Sequence, residues 1–159
     1  MAVTSDIVAS WRQPRAAVRR HLRRGVSEPF VFSLLMVFLI VAFVAQWPLA
    51  SREAFVAGEP SAAPRILARA FAVLATIPFW YLLAAISRLA AKALGGQGSW
   101  YSARLALFWA LTTITPLMLL QGMVAGMVGP SAGYWLVTGG LALAFFGFWG
   151  VMLHEVERG

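Results

Sequence analysis

An all-helical membrane domain of four spans, preceded by a basic amphipathic helix at the interface, is the architecture this sequence predicts. Three observations carry it. Of the 159 residues, 60% are hydrophobic and 12% charged, against roughly 45–50% apolar and about 25% charged in an ordinary soluble domain. A soluble domain of this size buries only about 70% of the surface its unfolded chain exposes, so lipid is the expected solvent. Four apolar stretches, at about 30–49, 66–87, 103–128 and 134–153, are each long enough to cross a hydrocarbon core, which takes roughly 20 helical residues. Six of the thirteen Lys and Arg lie between Arg12 and Arg24, which makes positive charge the property of one segment. The absence of cysteine excludes disulfides, thiolate metal sites and thiol nucleophiles.

The amino-terminal segment, 1–28, reads as a surface helix. Ile7, Trp11, Val18 and Leu22 recur at helical spacing with arginines between them, giving one apolar stripe and one basic face. Ser5 or Asp6 caps this helix, and Pro14 either kinks it or begins a second one. Trp11, Arg12, Arg15, Arg19, Arg20, Arg23 and Arg24 are the expected membrane-surface residues. Their expected partner is anionic lipid, at about 1 kcal/mol per basic residue near such a surface. The same arginines also act as a topology signal ahead of a first span. Nucleic acid is not an expected partner, because the basic run has one aromatic and no reader fold.

Residues 29–154 form the membrane domain. The first apolar run is too long for a cleaved signal and stays in the mature chain. The one sizeable loop, 50–65, holds Gly58, Pro60 and Pro64 and has no room for a soluble domain. No span carries a charge away from its ends, and Arg69 and Arg104 are close enough to a span start to snorkel. Ten Lys and Arg fall on the side of the termini and the second loop, against Arg52, Arg65 and Arg69 on the other. Both termini, including a short tail at 155–159, are therefore expected in the cytoplasm. Trp47 and Trp135 then mark the outer interface, Trp100 and Trp149 the inner one, while Trp80 and Trp109 fall within the hydrocarbon.

Between spans two and three, Gly95-Gly96-Gln97-Gly98-Ser99 reads as a tight reversal: a left-handed glycine ends one helix and Ser99 caps the next. As a phosphate loop it is weak, with no Gly-Lys-Ser/Thr and no preceding strand. Pro78 and Pro116 sit near the middle of their spans, where each should kink its helix, and two kinks at one depth suggest a cavity. Gly122 and Gly126, at about the depth of Gly139 and Gly140, are expected to let spans three and four form the tightest helix pair. The same glycines offer a homodimer contact.

Catalytic chemistry has little to stand on. No Asp, Glu, Lys, Arg or His sits at mid-membrane, so proton relays lack their usual residues. His154-Glu155-Val156-Glu157 lacks the second histidine of a zinc helix and reads as a solvated helix end with Arg158. No catalytic, cofactor or metal residues are expected.

Leu94 to Ser99, an apolar helix, and then Pro116-Leu117-Met118-Leu119-Leu120 resemble the signature of the YIP family, the Ypt/Rab-interacting membrane proteins. Gly95, Gly96, Gly98, Ser99 and Pro116 carry that motif, and Gln13-Pro14-Arg15 is similar to the short basic segment of bacterial members. The resemblance implies an integral helical membrane domain with a cytoplasmic amino end. The arginine-rich, compact chain points to a bacterial inner membrane. The expected function is a non-enzymatic protein that organises membrane or holds partner membrane proteins. The alternative is a small transporter or lipid-handling protein using a cavity near Pro78 and Pro116.

Overall fold

In the computed structural model, which describes residues 3–158, the chain forms eight helices. They are α1 (Val3–Arg12), α2 (Pro14–Leu22), α3 (Glu28–Val56), α4 (Ala63–Ala75), α5 (Ile77–Ala93), α6 (Trp100–Thr113), α7 (Thr115–Val128) and α8 (Ala132–Glu157). Residues 1–2 of the expected amino-terminal segment and 159 of the expected tail lie outside the described residues. Proline sets most of the boundaries. Pro14 opens α2 after a non-helical Gln13, so the basic segment is two helices. Pro29, Pro64, Pro78 and Pro116 all lie in first turns, where a missing N–H costs no intrahelical bond.

Three helical stretches are long and apolar enough to cross a membrane: α3, α4 with α5, and α8. The α6–α7 pair, bent by 44°, makes a fourth if it is counted as one span. Ion pairs and hydrogen bonds show that this bent pair runs the length of α3. Near one end Arg104 pairs with Glu28, and near the other the Arg52 guanidinium donates to the Met127 carbonyl at 3.0 Å. Whatever thickness α3 crosses, α6–α7 crosses too.

The centre of the bundle is α6. Tyr101 to Ala103 and Leu105 to Thr113 are all buried, and α1, α2, α3, α5 and α8 pack around them. The apolar stripe of the amino-terminal helices therefore faces protein, which corrects only the direction of that stripe: Ile7, Ser10, Val18 and His21 are buried against the bundle. Apolar spacing alone does not distinguish a lipid-facing stripe from a protein-facing one. One polar bond fixes the docking, and a second within α1 orients its acceptor. The Trp109 indole N–H donates to Ser10 Oγ at 3.0 Å, and that hydroxyl donates to the Asp6 carbonyl at 2.8 Å.

Three further bonds explain how the proline break is tolerated. Pro116 has no N–H for the Thr112 carbonyl, which accepts instead from Thr115 Oγ1 at 2.8 Å. The Leu117 N–H turns to the Ile114 carbonyl, and the Thr113 carbonyl accepts the Trp11 indole N–H at 3.0 Å. The break is thus sealed by a residue from α1. The expected cavity at the prolines is not among the principal clefts of the described residues: Pro78 and Pro116 are both exposed, and neither lines any of those clefts.

The glycine step also packs differently from expectation. A Cβ on Gly122 would lie 2.0 Å from the Ala45 carbonyl oxygen, and one on Gly126 would lie 2.4 Å from Pro48 Cβ. Their partner is α3, and α3 with α7 is the most extensive helix pair. Gly139 and Gly140 meet nothing within 4 Å and face away from the bundle. A small-x-x-x-small spacing shows that a backbone can be approached closely but does not name the helix that approaches.

Replacing Gly122 by Ala should therefore destabilise the protein by about 1–3 kcal/mol, the usual range for overpacking, whereas Gly139→Ala should be neutral. Thermal unfolding of both variants in detergent checks this; equal midpoints would contradict the packing.

Candidate functional site at the arginine-rich end

The ionisable residues separate to the two ends of the bundle. The α1–α2 end carries ten Lys and Arg against Asp6, Glu28, Glu155 and Glu157, while the opposite end has Arg52, Arg65 and Arg69 against Glu53 and Glu59. At that opposite end Arg69 Nη2 donates to Glu53 at 2.7 Å and Arg65 joins both glutamates. Charge there is nearly balanced. At the α1–α2 end it is not.

The arginines of the hairpin have two kinds of surroundings. Arg20 reaches buried Asp6 at 3.2 Å, Arg24 lies 4.0 Å from the same carboxyl, and Arg19 pairs with Glu155 of α8. These three clasp α1 to α2 and α2 to α8. Arg12, Arg15 and Arg23 are exposed. With Arg19 and Arg20 they line a cleft of about 680 Å³ that Val151 of α8 floors. Trp11 is both part of this surface and the seal of the helix break, with 42% of it exposed and its ring edge-on to Phe148 at 5.4 Å.

His21 sits beneath that surface against Trp109 and Phe30, with ring centroids 4.2 and 5.4 Å away. Burial lowers its pKa to about 4; Arg24 and Arg20 add to the fall and Asp6 opposes it. Nδ1 lies 3.5 Å from Arg24 Nη1. A guanidinium only donates, so Nδ1 accepts and the ring proton is on Nε2.

At the same end, the glycines of the expected family motif form a socket. Gly95 has φ +86° and ends α5, with the Gly96 N–H donating to the Ala91 carbonyl at 2.8 Å, a Schellman closure. Ser99 and Ser102 exchange bonds in a capping box at the start of α6. The Glu157 carboxyl fills the space between: Arg88 Nη1 donates to Oε2 at 2.9 Å, and the Gly98 N–H donates to it at 3.0 Å. The Gln97 N–H donates to the Glu157 backbone carbonyl at 2.9 Å. A Cβ on Gly96 or Gly98 would lie 2.5 or 2.7 Å from that carboxyl.

The expected solvated tail is thus corrected as well. α8 continues to Glu157, whose side chain is only 8% exposed, and Glu155 is tied to Arg19. Sequence reasoning missed the roles of Asp6, His21, Arg88 and Glu157. The available signal was an acid two residues before the last position of the sequence and a basic residue near a glycine turn, 69 positions apart, which no local pattern connects.

Two outcomes follow from this geometry. Gly98→Ala should cost about 1–3 kcal/mol by crowding the carboxyl, and Glu157→Leu about 3–5 kcal/mol by leaving Arg88 buried and unpaired. Unfolding of Gly98→Ala, Glu157→Leu and an Arg88→Met/Glu157→Leu double variant should show the double variant more stable than Glu157→Leu alone. For His21 the folded pKa lies below the unfolded one, so the unfolded state binds more protons between them. Its contribution is fully present above pH 6.5 and lost as pH falls toward 4. Proteolysis within residues 23–27 should therefore accelerate over that window, and His21→Leu should flatten the response.

The family model of the Yip1 domain matches residues 8–154, a stretch that takes in most of the amino-terminal hairpin, the glycine turn and the proline-broken span. No curated protein and no solved structure matches the chain. The family expected from Gly95 to Leu120 is the one found: this chain belongs to the Yip1-domain family and is an integral membrane protein of the YIP type.

Proposed function

We propose that this protein is a non-enzymatic organiser of membrane structure, anchored in anionic lipid through its amino-terminal hairpin. The observation that supports this reading is the taper of the bundle. At the arginine-rich end α1, α2, α3, α5 and α8 surround α6, whereas at the other end α7 packs mainly on α3 and α8, with α4 beside α3. Two helices inserted into one half of a four-traverse bundle widen that half. In a bilayer such a wedge favours curvature, with the wider leaflet convex.

The uneven charge supports an orientation with the arginine-rich end, and hence both termini, in the cytoplasm of a bacterial inner membrane. Arg12, Arg15 and Arg23 then face the anionic leaflet, each contributing about 1 kcal/mol of attraction. Arg19, Arg20 and Arg24 hold the hairpin to the bundle. Holding a partner membrane protein, or a second copy, against the exposed apolar face of α8 is compatible with the same wedge.

Proteoliposomes imaged by electron cryomicroscopy test the proposal. The full chain in vesicles containing phosphatidylglycerol should concentrate in regions of high curvature, and Arg12→Gln/Arg15→Gln/Arg23→Gln should weaken that enrichment while leaving the fold intact. An even distribution of the unaltered protein over vesicles of all sizes would remove the basis for it.

A further inference from the structure

Both α5 and α8 pack on α6, yet they scarcely touch each other. Between them runs a crevice of about 790 Å³, within the range of about 300–1,000 Å³ common for ligand sites. Leu83, Ile86, Trp149 and Leu153 form its walls, and the glycine turn with Glu157 and Arg158 closes its charged end. Ile86 is more than half exposed along its α5 side, so the crevice lies against the apolar surface that lipid covers.

Buried polar atoms single this crevice out. Among the described residues three buried side-chain nitrogen or oxygen atoms have no hydrogen-bond partner, and two of them, Trp149 Nε1 and Glu157 Oε1, belong to its lining residues. Glu157 is more than nine-tenths buried. Native structures leave few such groups unpaired. The two have opposite needs and a fixed order: an acceptor at the charged end and, about 12 Å deeper along α8, an indole donor. Arg88 is already engaged with Oε2, and Arg158 and His154 are exposed beside it.

The geometry points to a phospholipid bearing a primary ammonium headgroup as the occupant of this crevice. Its ammonium donates to Glu157 Oε1, its phosphate meets Arg158, an ester carbonyl accepts from Trp149 Nε1, and an acyl chain lies along Leu83 and Ile86. The order of donor and acceptor in such a lipid, from water inward, is the reverse of that in the protein, so the two match. A choline headgroup carries the same charge but has no N–H to donate. A glycerol headgroup leaves the lipid's phosphate charge uncompensated beside the glutamate. This site is separate from the arginine cleft of the hairpin and does not depend on the proposed function.

Native mass spectrometry of the full chain in mild detergent, given equal amounts of ethanolamine, choline and glycerol phospholipids with identical chains, tests the assignment. One ethanolamine lipid should be retained with at least fivefold preference over choline. Gly150 lines the crevice, and a Cβ there meets nothing within 4 Å, so Gly150→Leu should fill the space, abolish retention and leave thermal stability unchanged. Glu157→Gln should equalise ethanolamine and choline. Quenching by brominated acyl chains, taken as the difference between the unaltered protein and Trp149→Phe, should fall with Gly150→Leu as well. Absence of retained lipid, equal retention of the three lipids, preference for glycerol, or a preference that survives Gly150→Leu would each overturn the assignment, and Gly150→Leu decides it even if Glu157→Gln does not fold.

Discussion

Backbone carbonyls at a proline break must find donors inside the protein, because lipid offers none, and that requirement governs the arrangement around α6. The Thr112 carbonyl is answered from within the chain by Thr115, but the Thr113 carbonyl is answered by Trp11. A residue from outside the traversing helices is thus needed to complete one of them. Once Trp11 is committed there, α1 must lie against α6. Ser10 then meets the Trp109 indole, and the turn at Pro14 directs α2 onto α8. The buried polar groups on this face are each assigned: Ser10 to Trp109, Asp6 to Arg20 and Arg24, His21 to Arg24. The hairpin is a structural part of the bundle as well as its basic surface.

The same logic accounts for the charged end of α8. An isolated carboxyl at the membrane boundary would be costly to bury, and for Glu157 that cost is offset by the Gly98 N–H and Arg88, while the Gln97 N–H holds its backbone carbonyl. Glycine at 96 and 98 is what makes room. The turn is therefore less a flexible reversal than a mould for one side chain, and it links α5, α6 and α8 at a single point. Because α5 and α8 meet chiefly through this turn, the space above it stays open as the crevice.

Much of this was legible in the sequence. The four traverses followed from apolar runs and the proline-glycine boundaries between them, and Ser99 announced the start of α6. The division of charge between the two ends followed from counting arginines, because ionisable side chains cannot remain in hydrocarbon whatever the packing. What was not legible was direction. Ile7, Trp11, Val18 and Leu22 form the same stripe whether they face lipid or protein, since both are apolar. Ser10 and His21 on that stripe were the available hint, as polar groups there need partners that lipid does not supply. Gly122 and Gly126 likewise announced a close approach without saying that α3 makes it. Gly98 and Glu157, far apart in sequence, left no trace of their contact in any local pattern.

The consequence for function lies in how unevenly the bundle is braced. At its narrow end the helices are held by Gly122 and Gly126 against α3 and by a nearly neutral set of ion pairs. At its wide end, three arginines clasp the hairpin and three face outward. Under the proposed function, splitting one cluster of six like charges this way holds a helical wedge in place and still presents positive charge to the membrane. An equal number of arginines all paired would leave the hairpin docked but electrically silent; all free, they would repel one another and loosen it. The division into Arg19, Arg20 and Arg24 on one side and Arg12, Arg15 and Arg23 on the other joins the fold to the function proposed for it.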